Sequence, residues 1–190
     1  MSGFFDDLAN LLPGAWDPWS AVSAPVPYAM FGRGSRRPFS WYLEGKTSVS
    51  VSNLTEIERW LLGCEYVDDR VLFGKEDHWM HPGEFEVLRM GDCDDHALWA
   101  WRKMVDLGLE AWLLAGRWSE DPDDSHIWVN VKLDGREHVF EATSKVLGQA
   151  LSPLDRVRKA YRPFFAVDGR LRTRAYAGAA KEVLDWGGEL

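Results

Sequence analysis

The chain has 190 residues, 46% of them hydrophobic, which is enough for one well-packed domain and short for two. Its 22 basic and 30 acidic residues give a formal net charge of −8, which argues against nucleic acid as a partner. No apolar run is long enough to span a membrane, and acidic Asp6 and Asp7 stand where a secretory signal would be basic, so we expect a cytoplasmic protein.

Residues 1–52 differ in composition from the rest of the chain. A short amphipathic opening precedes a segment rich in proline, glycine, serine and tryptophan, which is typical of an extended arm. We expect its tryptophans to pin the arm to a domain formed by residues 53–190. The alternatives are that the arm docks a partner or that residues 13–40 cover the active groove.

Three helices are predicted in the first half of that domain. Apolar residues recur every three or four positions over 53–63, where Asn53 or Thr55 can be the N-cap, and Pro82 can open a short helical turn. The clearest helix covers residues 92–107 and ends at Gly108.

Strands are predicted after this last helix. Residues 109–118 have the composition of a strand, and residues 125–145 alternate between apolar and polar around the turn pair Asp134-Gly135, which indicates a hairpin. A second Asp-Gly pair is predicted as the turn of a final hairpin over 161–176. The fold class is therefore α+β, and the pattern predicts no particular oligomeric state.

The two cysteines, Cys64 and Cys93, are expected to be free thiols, because a reducing compartment disfavours disulfides. Asp92 is predicted to be the N-cap of the long helix, and Asp95 to close a capping box. Cys93 then occupies the first helical position, where the helix dipole lowers a thiol pKa. Cys64 is expected to be buried and structural.

The turn residues of the hairpin set its register. Counting outward from a two-residue turn places Trp128 opposite Glu141 and His126 opposite Thr143, all on one face. Glu141 then lies close enough to orient His126, whereas His138 lies on the other face and is the poorer candidate for a base.

These residues suit nucleophilic acyl transfer. Cys93 can attack a carbonyl, His126 can exchange the protons, and Glu141 can fix the histidine tautomer. The backbone N–H of Cys93 and the indole of Trp79 are the predicted oxyanion donors, and Trp128 is expected to line the substrate groove.

The order and spacing of three segments resemble the transglutaminase-like superfamily of the papain-like fold: GDCDDHALWAW, SHIWV and VFEATS. The nearer likeness is to bacterial transglutaminase-like cysteine peptidases, whose motif run is matched by Trp79, Pro82, Glu84, Phe85 and GDCDD. The resemblance covers roughly residues 53–145. It implies a nucleophile helix packed on an antiparallel sheet.

The resemblance also implies roles for individual residues. Cys93 falls at the nucleophile, His126 at the histidine, and Glu141 at an acidic position that is usually aspartate. In the calcium-dependent peptidases of this group the acids flanking the cysteine bind the ion, and Asp92 and Asp94 match them. We expect no required cofactor, with calcium as a possible ligand that would cancel the effect of these anions on the thiol.

The predicted function is cleavage of a peptide or isopeptide bond in a protein or peptide substrate. Acyl transfer to an amine uses the same triad and remains an alternative, as does a non-catalytic binding module. A zinc set of Cys64, His78, His81 and Cys93 is disfavoured by its unusual spacing. His96, one turn after the thiol, is expected to be partly exposed or to modulate the nucleophile.

Overall fold

A computed structural model describes residues 17–118 and 125–179. The helices are α1 (Phe39–Leu43), α2 (Leu54–Leu62), α3 (Asp69–Leu72), α4 (Pro82–Leu88), α5 (Cys93–Asp106) and α6 (Leu154–Val157). The strands are β1 (Ala21–Ser23), β2 (Glu65–Tyr66), β3 (Met90–Gly91), β4 (Glu110–Trp118), β5 (Ser125–Leu133), β6 (Arg136–Phe140), β7 (Leu151–Pro153), β8 (Tyr161–Asp168) and β9 (Thr173–Tyr176).

Seven of the strands form one antiparallel sheet in the order β1-β9-β8-β4-β5-β6-β7. The other two, β2 and β3, form a short parallel pair just before α5. Helix α5 packs on β4 and β5 at the middle of the large sheet. The prediction of an α+β fold with a helix on an antiparallel sheet is confirmed.

The β5–β6 hairpin has the predicted turn and register. Asp134 and Gly135 have φ values of 49° and 78°, as a two-residue type I′ turn requires, and Leu133 pairs with Arg136. The register therefore follows from turn chemistry, because the left-handed conformation at both positions suits Asp and Gly.

The β8–β9 hairpin has a longer turn than its Asp-Gly pair predicts. Asp168 Oδ1 accepts hydrogen bonds from the backbone N–H groups of Arg170 and Arg172 at 3.0 and 2.8 Å. Leu171 has a φ of 62°. The aspartate thus organises a four-residue connection through its side chain.

The predicted helix termini are confirmed. Asn53 caps α2 by accepting from the N–H of Glu56 at 3.0 Å, and Gly108 follows α5 with a φ of 74°. Asp92 caps α5 through the N–H of Asp94 at 3.3 Å. The predicted capping box is wrong, because Asp95 Oδ1 accepts instead from the N–H of Met80 at 2.8 Å.

Apolar side chains fill both faces of the large sheet. The main core lies between the sheet and the helices, and α5 is buried at every residue from 94 to 104. A smaller cluster on the opposite face is centred on Trp112, Trp128 and Tyr176 and is partly covered by α6. The sheet is therefore shielded from water on both sides.

The described part of the predicted arm is packed against the rest of the protein. Strand β1 extends the sheet beside β9, and Phe31, Phe39 and Tyr42 are buried in the main core. The amphipathic opening predicted before residue 17 lies outside the described residues. Within the described ranges, no helix combines the length and hydropathy needed to cross a bilayer.

Candidate active site

Cys93 is the first residue of α5 and its side chain is half-buried. Burial raises the pKa of the thiol, and the Asp92 carboxylate raises it further. The backbone N–H of Ile127 in β5 donates to the sulfur and lowers the pKa in part. The net pKa is above the usual range, so the expected lowering at a helix start is outweighed by burial and by neighbouring anions.

His126 and Glu141 form a hydrogen-bonded pair beside this thiol. His126 is the second residue of β5 and precedes the residue that contacts the sulfur, and Glu141 directly follows β6. His126 Nε2 lies 2.8 Å from Glu141 Oε2. The ring of Trp128 lies nearly parallel to the imidazole, with ring centroids 6.1 Å apart.

Glu141 accepts several further hydrogen bonds. Its Oε1 accepts from the backbone N–H and hydroxyl of Thr143 at 3.1 and 2.6 Å, and its Oε2 accepts from the Tyr161 hydroxyl at 3.0 Å. Burial raises the pKa of Glu141, but the hydrogen bonds from His126 and Thr143 outweigh it, and the net pKa is lowered. Glu141 is therefore ionised at neutral pH and held in one orientation.

A cavity of about 480 Å³ opens at this pair and includes His126, Glu141, Trp118, Tyr161 and Tyr66 in its lining. Burial raises the pKa of Tyr66, and the negative charge of the Cys93 thiolate raises it further. Tyr66 therefore lines the cavity and is close enough to Cys93 to sense its charge. The sequence contained no signal for Tyr66 or Tyr161, whereas the hairpin register had already placed Thr143 on the face of His126.

The two indoles expected in the groove lie inside the protein instead. Trp79 is 4% exposed and packs against the rings of Phe39 and Tyr42 in the main core. Trp128 is fully buried, and its indole N–H is donated to Asn130 Oδ1 at 3.1 Å. This corrects the expectation for both residues, because strand and core packing leave neither ring facing the cavity.

His96 is fully buried, which corrects the expectation of partial exposure. Its Nδ1 lies 2.8 Å from the carbonyl oxygen of Asp92, and Lys145 Nζ approaches its Nε2 at 3.2 Å. Burial and the Lys145 charge lower the pKa of His96 to about 4. The neutral ring accepts from Lys145 and donates to the carbonyl oxygen of Asp92, the N-cap of α5.

Three carboxylates gather close to Cys93 along the chain. Asp92 and Asp94 flank the cysteine, and Asp69 at the start of α3 joins them, with one oxygen of each within 4.8 Å of the others. Sequence reasoning missed Asp69, which lies in a segment that was not predicted to be helical. We refer to Asp69, Asp92 and Asp94 as the acidic cluster.

Within the described part of the chain, Asp69 Oδ2 accepts a hydrogen bond from the N–H of His78 and Asp92 Oδ1 accepts one from the N–H of Asp94, but two other oxygens of the acidic cluster have no compensating contact. Oδ1 of Asp69 and Oδ1 of Asp94 are buried without a hydrogen-bond partner there. Burial and the Asp92 charge raise the pKa of Asp69 to about 7. Burial, Asp95 and Asp92 likewise raise the pKa of Asp94. Buried, unpartnered carboxylate oxygens are the ligand set that hard divalent cations such as calcium prefer.

The alternative zinc set is not assembled. His81 caps α4 through the N–H of Gly83 and contacts the carbonyl oxygen of Glu44 through its other nitrogen. Cys64 is buried and contacts the carbonyl oxygen of Trp60. Among the described residues, the acidic cluster is the group with suitable spacing for a metal.

Solved structures with a related fold include LapG from Legionella pneumophila. One LapG structure matches with a TM-score of 0.52 and 15% identity, covering 80% of this chain and 76% of that one. The EGTA-treated and calcium-bound forms match with TM-scores of 0.47 and 0.48 and identities of 15% and 14%. They cover 69% and 70% of this chain and 64% and 67% of LapG, so this chain spans slightly less than two thirds of the EGTA-treated form.

The Bacillus cereus arylamine N-acetyltransferase (BACCR)NAT3, described as having a Cys-His-Glu catalytic triad, matches with a TM-score of 0.45 and 15% identity. That match covers 77% of this chain and 74% of the acetyltransferase. No protein-family model matches the sequence, and a search of curated proteins finds no match. The likeness to LapG confirms the predicted papain-like, transglutaminase-like fold.

Proposed function

We propose that this protein is a cysteine-dependent hydrolase that cleaves a peptide or isopeptide bond through a thioester intermediate. The observation that carries the proposal is the 2.8 Å contact between His126 Nε2 and Glu141 Oε2 next to a cysteine at a helix start. The contact of the Cys93 sulfur with the residue after His126 supports the same conclusion.

The first half-reaction forms the acyl-enzyme. His126 Nδ1 takes the thiol proton, and the sulfur of Cys93 forms a bond to the substrate carbonyl carbon. The imidazolium then gives its proton to the leaving nitrogen as the carbon–nitrogen bond breaks. Glu141 holds Nε2 as the protonated nitrogen and stabilises the positive charge that forms on the ring.

The second half-reaction releases the product. A water molecule loses a proton to His126 and attacks the thioester carbonyl carbon, and the carbon–sulfur bond breaks to give a carboxylic acid and the free thiol. An amine in place of water would give a new amide. The backbone N–H of Cys93 is the first proposed oxyanion donor, because the first helical N–H groups lack intrahelical partners.

We also propose that the acidic cluster holds a calcium ion. Its buried, unpartnered oxygens support this assignment, and a bound cation would supply positive charge that offsets the effect of Asp92 on the thiol. Calcium at cytosolic concentrations fills only sites of high affinity, so the measured affinity also tests the prediction of a cytoplasmic location.

The test is the rate of alkylation by iodoacetamide at each cysteine, measured by mass spectrometry between pH 5 and 10. We expect Cys93 to react faster than the buried Cys64, and His126→Ala to slow Cys93 by about 10-fold or more at neutral pH, as expected for a thiolate stabilised by one pKa unit. His138→Ala removes a histidine from the other face of the same hairpin and is the matched control.

A Cys93 that is as unreactive as Cys64, with calcium and with EGTA, would reject the catalytic proposal and favour a binding module. If Cys93 is reactive, the protein is incubated with a peptide library and a primary amine in heavy-oxygen water. The products then distinguish hydrolysis from acyl transfer to the amine. Heavy oxygen at new carboxyl ends indicates hydrolysis, and amine adducts indicate transfer.

A further inference from the structure

The proposed active site lacks a second donor for the oxyanion. When a sulfur attacks an amide, negative charge develops on the carbonyl oxygen, and preorganised hydrogen-bond donors stabilise it. The backbone N–H of Cys93 is one proposed donor. The indole of Trp79, which the sequence suggested as the other, is buried in the main core. A second donor from the protein would have to face the cavity at His126.

The Tyr66 hydroxyl is an available donor in that cavity. Tyr161 and Thr143 also line the cavity, but both hydroxyls already donate to Glu141, at 3.0 and 2.6 Å. The Tyr66 hydroxyl makes no hydrogen bond to another residue in the part of the chain that the structure describes. Tyr66 is also 52% exposed. A substrate that enters the cavity can therefore reach this hydroxyl.

Backbone pairing holds Tyr66 beside the start of the nucleophile helix. Tyr66 lies in β2 and pairs with Gly91 of β3, which is two residues before Cys93. The N–H of the next residue, Val67, donates to the carbonyl oxygen of Gly91 at 3.0 Å. Paired strands are about 4.8 Å apart, so the backbone of Tyr66 lies one strand spacing from the segment that leads into α5.

The serine hydroxyls in the cavity lining come from a different part of the site. They belong to β5, to β7 and to the segment after Glu141. These elements carry the histidine and the glutamate. Tyr66 is the hydroxyl-bearing residue of the lining that comes from the segment paired with the approach to Cys93.

The side chain of Tyr66 lies close to the thiol. The centroid of its ring is 6.1 Å from that of His96, which is one turn after Cys93 on α5. Burial raises the pKa of Tyr66, and among the neighbouring charges the Cys93 thiolate raises it most, ahead of Asp92. The hydroxyl is therefore near the sulfur, and it keeps its proton at neutral pH.

We propose that Tyr66 is a catalytic residue whose hydroxyl is the second oxyanion donor. The inference rests on the proposed function. As the Cys93 sulfur bonds to the carbonyl carbon, the π electron pair moves onto the oxygen, and the Tyr66 O–H donates a hydrogen bond to it without transferring its proton. The electron pair then returns to form the carbonyl again, as the carbon–nitrogen bond breaks and the leaving nitrogen takes the proton from His126.

Two probes of Cys93 separate this role from an effect on the thiol. p-Nitrophenyl acetate acylates a thiolate through a tetrahedral oxyanion, whereas iodoacetamide alkylates it by displacing iodide from a saturated carbon. Both rates depend on the same fraction of thiolate, so at one pH their ratio reports on the oxyanion. Acylation of the full chain is measured by the release of p-nitrophenolate, corrected by the rate of Cys93→Ala. Alkylation of Cys93 is measured by mass spectrometry.

Tyr66→Phe should slow acylation of Cys93 by about 10-fold or more, and change its alkylation rate by less than about 2-fold. A fully buried oxyanion donor contributes about 100-fold to 1,000-fold. The effect is expected to be smaller here because Tyr66 is half exposed, and water replaces part of the lost hydrogen bond.

The matched control is Tyr161→Phe, which removes a hydroxyl from the same cavity. Tyr161 acts on His126 through Glu141, so its loss should slow both reactions by the same factor and leave their ratio unchanged. If Tyr66→Phe also slows both reactions equally, Tyr66 acts on the thiol and the proposal is overturned. Unchanged rates of both reactions in Tyr66→Phe would overturn it as well.

The two proposals fail separately. A parent Cys93 that reacts with both probes, together with a Tyr66→Phe variant that keeps the parent's ratio, rejects the role of Tyr66 and leaves the proposed function standing. A parent Cys93 that is alkylated but not acylated also rejects the role of Tyr66, because the site then stabilises no oxyanion. A parent Cys93 that reacts with neither probe rejects the proposed function and the role of Tyr66 with it.

Discussion

Two groups of buried carboxylates in this protein have opposite environments. Glu86 in α4 accepts hydrogen bonds from Lys103 Nζ at 2.8 Å, Trp99 Nε1 at 2.9 Å and Ser48 Oγ at 2.9 Å. Burial raises the pKa of Glu86, but these bonds outweigh it and hold the pKa at about 2. Glu86 is thus an ionised carboxylate with a complete set of partners.

The acidic cluster is the other group. Its members repel one another, and burial raises the pKa of both Asp69 and Asp94. Asp94 Oδ1 has no hydrogen-bond partner among the described residues. Its charges therefore destabilise the protein wherever no cation compensates them.

This difference in hydrogen bonding indicates different roles for Glu86 and for the acidic cluster. Lys103 also donates to the carbonyl oxygen of Val49 at 2.6 Å, and Ser48 is held by Glu86, so the satisfied carboxylate fastens the segment before α2 to α5. In the acidic cluster, Asp92 caps α5 and Asp69 accepts from the N–H of His78, but Oδ1 of Asp69 and Oδ1 of Asp94 have no partner among the described residues. The calcium ion that we propose would compensate the charges of this cluster next to Cys93.

The largest expected effect on the free energy of unfolding comes from removing the charge of Glu86. Glu86→Gln should lower the free energy of unfolding by roughly 3 kcal/mol, because it leaves the buried Lys103 ammonium without a counter-charge. Urea unfolding followed by tryptophan fluorescence measures the loss. Glu56→Gln, at a partly exposed residue whose carboxylate accepts from the N–H of Ser52 at 2.7 Å, is the control and should have a much smaller effect. A loss below about 1 kcal/mol for Glu86→Gln would contradict the assignment.

The same variant should change the response to acid. The folded-state pKa of about 2 lies below the usual value of 4.5, so the stability from ionised Glu86 is complete above pH 4.5 and is lost as the pH falls towards 2. The parent should therefore lose stability more steeply than Glu86→Gln across this range. Parallel curves for the two proteins would show that Glu86 does not titrate as proposed.

The next effect is that of calcium on the acidic cluster. At about 100 times its Kd, calcium should raise the free energy of unfolding by about 2.7 kcal/mol, since it binds the folded state alone. Asp94→Asn should weaken this response, and Glu86→Gln should keep it. Thermal unfolding with calcium, magnesium or EGTA measures both. The calcium proposal fails if millimolar calcium leaves the melting temperature of the parent unchanged.

In EGTA, removing a carboxylate charge should lower the free energy of unfolding at Glu86 but raise it in the acidic cluster. Asp94→Asn should raise the free energy of unfolding by roughly 1 kcal/mol, because it relieves repulsion within the cluster. The raised pKa of Asp69, about 7, implies that stability is complete below pH 4 and is lost as the pH rises through 7. Urea unfolding at pH 5 and pH 8 tests this, with exposed Asp155→Asn as the control. A destabilised Asp94→Asn protein would contradict it.

The smallest expected effect concerns Glu141, a second carboxylate whose hydrogen bonds lower its pKa. Tyr161→Phe removes one of its hydrogen bonds and should lower the free energy of unfolding by about 1 kcal/mol or less. Alkylation of Cys93 should slow by a factor of about 3, because His126 is oriented less firmly. Tyr28→Phe, at an exposed tyrosine, is the control. Equal alkylation rates in the two variants would show that Tyr161 does not position the pair.

Most of the elements could be predicted because their signals are local. Asn53 and Gly108 mark helix ends through their own conformations, and the Asp134-Gly135 turn sets the β5–β6 register. That register is what places His126 near Glu141. The candidate triad could therefore be predicted from the turn residues of the hairpin and from the order of the sequence motifs.

The environment of the thiol could not be predicted in the same way. The sequence places Cys93 at a helix start, yet the sign of its pKa shift depends on how deeply the sulfur is buried and on the sum of nearby charges. Tryptophan is common both in substrate grooves and in cores, and only the packing of the folded chain places Trp79 and Trp128 in the interior.

By itself, the sequence determined the three longest helices, the register of the β5–β6 hairpin and the order of the cysteine, histidine and acidic segments. Turns, caps and alternation act over a few residues, so they operate before the chain is folded. The tertiary structure alone decided that Asp69 joins Asp92 and Asp94. Burial and long-range charge are properties of the assembled fold, because they depend on neighbours that are distant in sequence.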